Sequence, residues 1–214
     1  MLQPIVELDR LVSFSSQPHA VAIDGDLLYV SSRATRRIDV IDRNAWQKWD
    51  ELDAPGMPWG MTYARGELIA TCGEGTDDLR RIRRYASDEG WQHSFIPCPD
   101  DTGSHLAVHD GRILLGQWYN QVVLELDDDG AILRRYEVPH GLAGVAIDGD
   151  KAFLLTTDDE DDGDYWITRL DLMTGVCDDV ALVPFHARGL AWDEEQFWTN
   201  HREADRTVRF RLPS

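Results

Sequence analysis

Short apolar runs alternate with polar turns along the whole chain, and this pattern recurs five times. The first instance is PHAVAIDGDLLYVSS, from Pro18 to Ser32, in which the tight turn Asp24-Gly25-Asp26 separates two apolar runs and a polar loop follows. Alternating segments bounded by turn residues are typical of β-hairpins, and no segment shows a sustained helical period. The sequence therefore predicts a series of hairpins, each followed by a further apolar run. Related segments begin at Pro58, Gly103, Ala143 and Ala187.

The spacing of these repeats predicts the architecture. When the segments are aligned on their first apolar run, successive repeats lie 39 to 45 residues apart, and one shared position is occupied by His19, Trp59, Ser104, Ala143 and Arg188. Repeats of about 40–50 residues with several strands each are typical of β-propellers. We therefore expect an all-β fold, a five-bladed β-propeller forming a single domain over residues 1–214, with blades at about 18–53, 58–98, 103–138, 143–183 and 187–214.

The two ends of the chain predict how the ring closes. The last repeat is one strand short, whereas residues 5–14 form a spare apolar strand ahead of the first repeat. Closing a propeller removes the unpaired edge that an unfinished sheet would expose. We therefore expect the N-terminal strand, residues 5–14, to complete the last blade. In the second blade, the outer strand is expected over Gln92–Pro97.

Candidate functional residues concentrate at one predicted end of the central channel. The loops that enter the first strand of each blade and those that leave its second strand meet at this end, here called the channel mouth. His19 and His105 are the catalytic candidates, because an imidazole titrates near neutral pH. Indole, guanidinium and amide groups beside them suit a small polar or anionic molecule. The substrate-binding candidates are Trp59, Trp118, Arg188, Gln117, His186 and Asn200.

The pattern supports two classes of function. The clustered histidines favour a small-molecule enzyme of hydrolase or lyase type, with its pocket at the channel mouth. The lack of carboxylates at the aligned position favours a non-catalytic ligand-binding or protein-interaction propeller. The expected partner of Arg188 differs between these two classes, since a buried guanidinium needs a partner. Arg188 either forms an internal salt bridge to a loop carboxylate, such as Glu74 or Asp158, or binds a ligand anion beside His19.

Composition narrows the choice of partners. The formal net charge is −18, which argues against nucleic acid and anionic membranes, since both attract basic surfaces. Three cysteines without paired spacing predict reduced thiols in a cytoplasmic protein. The first residues lack a basic region and a long apolar core, so we expect no signal peptide, and no apolar run is long enough to span a membrane. We expect a monomer that binds a small molecule.

One acidic stretch resembles the start of a calcium-binding loop. Asp158–Asp164 reads DDEDDGD, but Arg169 stands where such a loop needs its bidentate glutamate. The stretch is therefore interpreted as a solvated loop of blade four, at which a divalent cation would lack its usual ligands.

The repeat motif of Pro18–Val30, with its D-G-D turn, resembles propellers of the senescence-marker-protein/gluconolactonase, NHL and streptogramin-lyase type. The resemblance covers the whole chain and implies lactonase-like or lyase-like chemistry. Gluconolactonase-like enzymes hold a divalent metal with Glu, Asn and Asp at the channel mouth. The aligned positions of this chain, from His19 to Arg188, carry no carboxylate. The resemblance therefore assigns no metal ligands to this sequence.

A second, partial resemblance is to the plant and bacterial glutaminyl cyclases, which are five-bladed. Trp59-Gly60-Met61-Thr62 is similar to the W-G-L-T of that family, and Gly116-Gln117-Trp118 before Val122–Asp127 is similar to its A-N-V-W strand pair. Pro58 stands where the family has a glutamate, and the family's F-G-E-G stretch has no counterpart. The resemblance implies the five-bladed architecture and makes glutaminyl-cyclase-like chemistry a third possibility.

Overall fold

Five antiparallel sheets stand in a ring around a central channel in the computed structural model, which describes residues 2–213. The predicted all-β, five-bladed propeller is confirmed. The only helical segment in this part of the chain is a single 3₁₀ turn at Pro99–Asp101. Within the same residues, no helix has the length and apolar character needed to cross a bilayer.

Each blade runs from an inner strand at the channel to an outer strand at the surface. The chain begins with β1 (Val6–Val12), and blade one follows as β2 (Pro18–Asp24), β3 (Leu27–Ser32), β4 (Arg37–Asp42) and β5 (Gln47–Asp53). Blade two contains β6 (Met57–Ala64), β7 (Glu67–Glu74), β8 (Leu79–Ala86), β9 (Gly90–Trp91) and β10 (Ile96–Pro97). Blade three contains β11 (Leu106–His109), β12 (Arg112–Gln117), β13 (Val122–Leu126) and β14 (Ile132–Glu137). Blade four contains β15 (Gly141–Asp148), β16 (Lys151–Thr157), β17 (Tyr165–Asp171) and β18 (Cys177–Val183). Blade five contains β19 (Ala187–Trp192), β20 (Phe197–His201) and β21 (Arg206–Arg211).

The N-terminal strand closes the ring, as predicted. Strand β1 pairs antiparallel with β21, in a register that runs from Val6 opposite Arg211 to Val12 opposite Arg206. An ion pair between Arg209 and Asp9 joins the same two strands. Blade five therefore takes its fourth strand from the other end of the chain, and both termini are held in one sheet.

The outer edge of blade two differs from the prediction. Instead of one strand over Gln92–Pro97, the structure has the short strands β9 and β10, both paired with β8 and separated by four residues. Arg83 explains the interruption, because its Nη1 donates a hydrogen bond to the carbonyl oxygen of His93 at 2.9 Å. That carbonyl turns toward the guanidinium and does not extend the backbone ladder.

The inner strands line the channel in layers. The side chains of Val21, Met61, Val145 and Leu190 narrow it and are buried. Beyond this level, at the end opposite the channel mouth, a cavity of about 150 Å³ is lined in part by one residue from each blade: Ile23, Tyr63, Val108, Ile147 and Trp192. The same inner strands also pack between neighbouring blades, since Val21, Met61, Val145 and Leu190 each belong to an apolar cluster there.

A backbone irregularity recurs where the inner strands reach the channel mouth. Four of the five inner strands shift register there, between Pro18 and Val21, Pro58 and Gly60, Leu142 and Gly144, and Arg188 and Ala191. Such bulges bend a strand and change the direction of its side chains. Small residues are needed at these points: a Cβ on Gly60 would lie 1.9 Å from the carbonyl oxygen of Ser104 in the next blade.

Candidate functional site at the channel mouth

Two buried imidazoles lie side by side at the channel mouth. His19 is 2% exposed and His105 is 3% exposed, and their rings stack with centroids 5.7 Å apart. His105 occupies the repeat position that holds Ala20, Gly60, Gly144 and Gly189 in the other blades. In blade three the backbone amide of Gly116 donates to the carbonyl of His105, and the backbone amide of Ser104 donates to the carbonyl of Gly116. Two successive residues, Ser104 and His105, therefore lie opposite Gly116 alone. A side chain replaces a small residue here, and a second imidazole reaches the channel.

The surroundings of these rings hold both imidazoles in the neutral form. Burial lowers the pKa of His105 to about 3, and the positive charges of Arg188 and Arg80 act in the same direction. Burial also places the pKa of His19 well below its usual value, with Arg188 as the next largest cause. An imidazolium is disfavoured twice at this place, by lost hydration and by nearby guanidinium groups.

Trp59 forms one wall of the channel mouth. Its ring meets His19 edge to face at 5.3 Å between centroids, and its Nε1 donates to Oδ1 of Asp78 at 3.1 Å. The guanidinium carbon of Arg80 lies 3.9 Å from the centroid of the indole and that of Arg33 lies 5.1 Å from it, within the range of cation–π attraction. These contacts fix the orientation of the indole and concentrate positive charge beside the imidazoles.

Arg188 is buried and paired with a loop carboxylate. It is 4% exposed, its Nη2 contacts Oε2 of Glu160, and its guanidinium carbon lies 5.7 Å from the ring centroid of Trp118. Its Nε has no hydrogen-bond partner among residues 2–213. The internal salt bridge was one of the two sequence-based alternatives.

The carboxylate that pairs with Arg188 differs from both residues named as examples. Glu74 contacts Arg81 and Arg83, and Asp158 contacts His140. The loop expected to supply the partner is the acidic one of blade four, but the residue is Glu160, two positions beyond Asp158. Two side chains of this loop reach blade five: Glu160 contacts Arg188, and Asp161 contacts Arg202.

Two further arginines face the open part of the mouth. A cleft of about 370 Å³ is lined by Arg33, Arg202 and His19 together with Gln17, Pro18 and Glu203. Arg202 lies 3.3 Å from Asp161 and 3.6 Å from Glu160, whereas within the described residues no carboxylate lies within 4.0 Å of Arg33. Burial lowers the pKa of Arg33, and the charges of Arg188 and Arg202 lower it further. Among the described residues, Arg33 is therefore the arginine of the mouth that has no carboxylate partner, whereas Arg80, Arg188 and Arg202 each have one.

The two predicted amide ligands do not line this open space. Gln117 is fully buried, and its Nε2 donates to the carbonyl oxygens of Pro99 at 2.8 Å and Thr102 at 3.0 Å. Asn200 is equally buried, donates to the carbonyl oxygen of His19 at 3.2 Å, and accepts a hydrogen bond from Thr207. Both side chains hold the backbone that shapes the mouth.

The remaining two predicted residues, His186 and Trp118, are placed differently. His186 faces Glu203 across 2.9 Å between Nδ1 and Oε1. Trp118 lies against Gly141, where an added Cβ would come within 2.9 Å of the indole. The mouth thus brings His19, His105, Trp59, Trp118 and Arg188 together, and it leaves His186 at the rim.

Sequence reasoning missed Arg33 and Arg202, although a signal for them was present. Each is the first residue after the second strand of its blade, and Trp118 holds the same place in blade three. Extending the repeat alignment to that position would have placed two guanidinium groups on adjacent blades at the mouth. No comparable signal identifies Glu160, which lies among five other acidic residues of its loop.

The described residues contain no group of three or more His, Cys, Asp or Glu side chains arranged to hold a metal ion. At the mouth, Glu160 and Asp161 contact arginines and Glu203 contacts His186. Imidazoles, guanidinium groups and indoles are the other functional groups present there.

No protein-family model and no curated protein matches this chain. Among solved structures, it is similar to the glutaminyl cyclase of Myxococcus xanthus, with a TM-score of 0.70 and 11% identity over 99% of this chain and 100% of that one. It is also similar to a protein of unknown function from Bacteroides thetaiotaomicron VPI-5482, with a TM-score of 0.64 and 11% identity over 99% of this chain and 75% of that one. At this identity the likeness shows the fold alone.

Proposed function

We propose that this protein is an enzyme of hydrolase or lyase type that acts on a small anionic molecule at the channel mouth. In this proposal Arg33 and Arg202 bind the negative group of the substrate. His19 and His105 lie beside its reacting part, and Trp59 and Trp118 form apolar walls. The fold-level likeness to a glutaminyl cyclase is compatible with an enzyme and does not specify the reaction.

The observation that carries the proposal is the uncompensated charge of Arg33. A guanidinium that is partly removed from water and faces other guanidinium groups is destabilised until an anion joins it. The cleft beside Arg33 is open to solvent and large enough for a small molecule. Charge-assisted hydrogen bonds to a carboxylate or phosphate would supply the missing compensation.

Anion binding would also change the imidazoles. Burial lowers the pKa of His19 most strongly, the guanidinium charges lower it further, and a bound negative charge would offset this second contribution. The pKa of His19 would then rise, which makes the imidazole a stronger base. The bound substrate would thus make His19 a better general base, which removes a proton from a water molecule or from the substrate.

The test is a binding and turnover screen of the purified protein. The panel contains small carboxylates, phosphate esters, lactones, peptide esters and peptides with N-terminal glutamine. We expect at least one anionic compound to raise the melting temperature, and Arg33→Met to weaken its binding by roughly 10- to 100-fold, the value of a charge-assisted hydrogen bond. Arg36→Met is the matched control, since Arg36 is exposed in the same loop. Equal loss in both variants, or no anion binding at all, would contradict the proposal.

Turnover separates the imidazoles from the binding groups. We expect His19→Ala and His105→Ala to reduce turnover of a substrate found in the screen while it still binds through Arg33. Unchanged turnover in both variants would remove the histidines from the mechanism.

A non-catalytic ligand-binding propeller is the second candidate, and one observation favours it. With a pKa of about 3, His105 is a weak base at neutral pH. If compounds of the panel bind and Arg33→Met weakens their binding, but none of them is converted, the protein is a binding propeller and not an enzyme.

A further inference from the structure

We infer that Glu160 occupies a subsite for the carboxylate of a ligand, and that a ligand carboxylate replaces it on Arg188. The inference rests on the proposed function: it names the negative group as a carboxylate and adds Arg188 to the arginines that bind it, since Glu160 contacts both Arg188 and Arg202. It also assigns Glu160 a part in recognition, as the internal group that the ligand displaces.

The hydrogen-bonding edge of Arg188 is only half used. Nε and Nη2 of a guanidinium point the same way, so one carboxylate can accept from both in two parallel hydrogen bonds. Glu160 contacts Nη2, while the buried Nε has no partner among residues 2–213. A free carboxylate, which is not tied to a backbone, can bridge both donors. A ligand therefore gains a hydrogen bond that Glu160 does not make.

Glu160 can leave without moving its loop. The loop backbone is held independently, because the carbonyl oxygen of Glu160 accepts from the hydroxyl of Tyr165 at 2.9 Å and from Nη1 of Arg202 at 3.3 Å. The hydroxyl of Thr157 donates to the carbonyl of Asp159 at 2.7 Å. The Glu160 side chain is 34% exposed, so rotation brings its carboxylate into water. Exchange then costs a rotamer change and leaves the fold in place.

The surroundings suit a carboxylate attached to an apolar or aromatic body. Trp118 lies beside Arg188, and the imidazoles of His19 and His105 continue the wall toward Trp59. A carboxylate is planar and matches the guanidinium edge, and its single charge equals that of the group it replaces. The inference therefore names small carboxylic acids as the ligand class.

Chemical rescue with acetate provides the test. Glu160→Ala removes the internal carboxylate and leaves room for acetate beside Arg188. We expect this variant to melt several degrees below the wild type, and acetate to restore at least half of the loss. Acetamide, which has the same shape without the charge, should restore none, and sodium chloride at equal ionic strength corrects for screening. Glu160→Gln, which keeps the side-chain volume, is the second variant if the alanine substitution does not fold, and it should respond to formate, the smallest carboxylate.

Asp161→Ala is the matched control. Asp161 is the next residue of the same loop, its side chain is 80% exposed, and it contacts Arg202 but not Arg188. We expect this variant to respond to acetate no more than the wild type does, because in both proteins acetate must displace Glu160 from Arg188. A larger response in the Glu160 variants than in these two proteins would support the subsite. An equal response in all of them, or none in either Glu160 variant, would overturn it.

Failure of the inference about Glu160 can be told apart from failure of the proposed function. If the wild type binds no anion in the screen while Glu160→Ala takes up acetate, the subsite exists but Glu160 fills it permanently, and both the exchange and the proposed function are refuted. If the wild type binds anions through Arg33 and acetate does not rescue the Glu160 variants, the proposed function stands and only the inference about Glu160 fails.

Discussion

The same five inner strands build both ends of the channel, but the two ends differ in symmetry. At the end opposite the mouth, each blade contributes an apolar or aromatic side chain to one ring: Ile23, Tyr63, Val108, Ile147 and Trp192. At the mouth, the residues four positions earlier along the chain are chemically different in every blade: His19, Trp59, Ser104, Ala143 and Arg188.

The repeat is therefore structural at the apolar end and provides functional groups at the mouth. Side chains at the apolar end need no partner from a loop or a ligand, since they pack against one another. The mouth differs, because a buried guanidinium and two buried imidazoles need partners from loops or from a ligand. Substitutions at the apolar end should therefore affect stability alone, whereas substitutions at the mouth should change charge compensation and ligand binding as well.

Removal of the closing strand should have the largest effect, because it disturbs both ends at once. Deleting residues 1–14 exposes the edge of β21 and removes the pairing of Val6–Val12. An open ring with an unpaired edge loses cooperativity and associates with other chains. We expect aggregation or the loss of a single melting transition, measured by calorimetry and size-exclusion chromatography. A truncated chain that stays monomeric with an unchanged melting temperature would refute this role of β1.

Truncation of the apolar constriction should be the next largest effect. Leu190 is 3% exposed and lies in the core cluster between blades four and five. Leu190→Ala should lower the free energy of unfolding by about 2–5 kcal/mol, the usual range for a buried leucine. Urea denaturation measures this value, and Leu133→Ala, at a residue that is 49% exposed, is the control. Similar losses in the two variants would mean that the constriction is not a packed layer.

The ion pair at the mouth should respond asymmetrically. Glu160→Gln leaves the buried guanidinium of Arg188 without a counter-charge, which should cost about 3 kcal/mol of unfolding free energy. Arg188→Met should cost only about 1 kcal/mol, because the partly exposed carboxylate of Glu160 can turn into water. Denaturation of both variants at low ionic strength tests the order. The reverse order would mean that Glu160 is the more deeply buried partner.

The pH dependence of stability should arise at the mouth, and between pH 6.5 and 5 it should reach at most about 2 kcal/mol for one histidine. The pKa of His105 is about 3 in the folded protein and near 6.5 in the unfolded chain, so the unfolded state binds a proton that the folded state refuses. The contribution of neutral His105 to the free energy of unfolding is therefore fully present above pH 6.5. It declines as the pH falls, by up to roughly 1.4 kcal/mol per pH unit.

Substitution isolates the contribution of His105. Between pH 6.5 and 5, above the range in which carboxylates titrate, His105→Gln should flatten the decline, whereas His93→Gln, at an exposed residue, should leave it unchanged. Denaturation curves at several pH values provide the measurement. A slope that persists in His105→Gln would assign it to other groups, of which His19 is the first to examine.

The agreement between sequence and structure is closest where the repeat governs packing. The number of blades, the closure by residues 5–14 and the convergence of His19, Trp59, His105 and Arg188 all follow from strand period and antiparallel geometry. Gln117 and Asn200 show the limit of the same reasoning. Both lie on the correct face, but hydrogen bonding to backbone carbonyls turns their amides away from the cleft.

Alternation along strands and turn spacing are local properties, so the sequence alone was enough to predict the propeller and the end of the channel at which polar side chains meet. Only the assembled fold shows which carboxylate reaches Arg188, why Arg33 is left without one, and how far burial depresses the pKa of His105. These depend on distances between loops of different blades and on the exclusion of water. Charge compensation in a buried site is a property of the assembled ring, and no single repeat contains it.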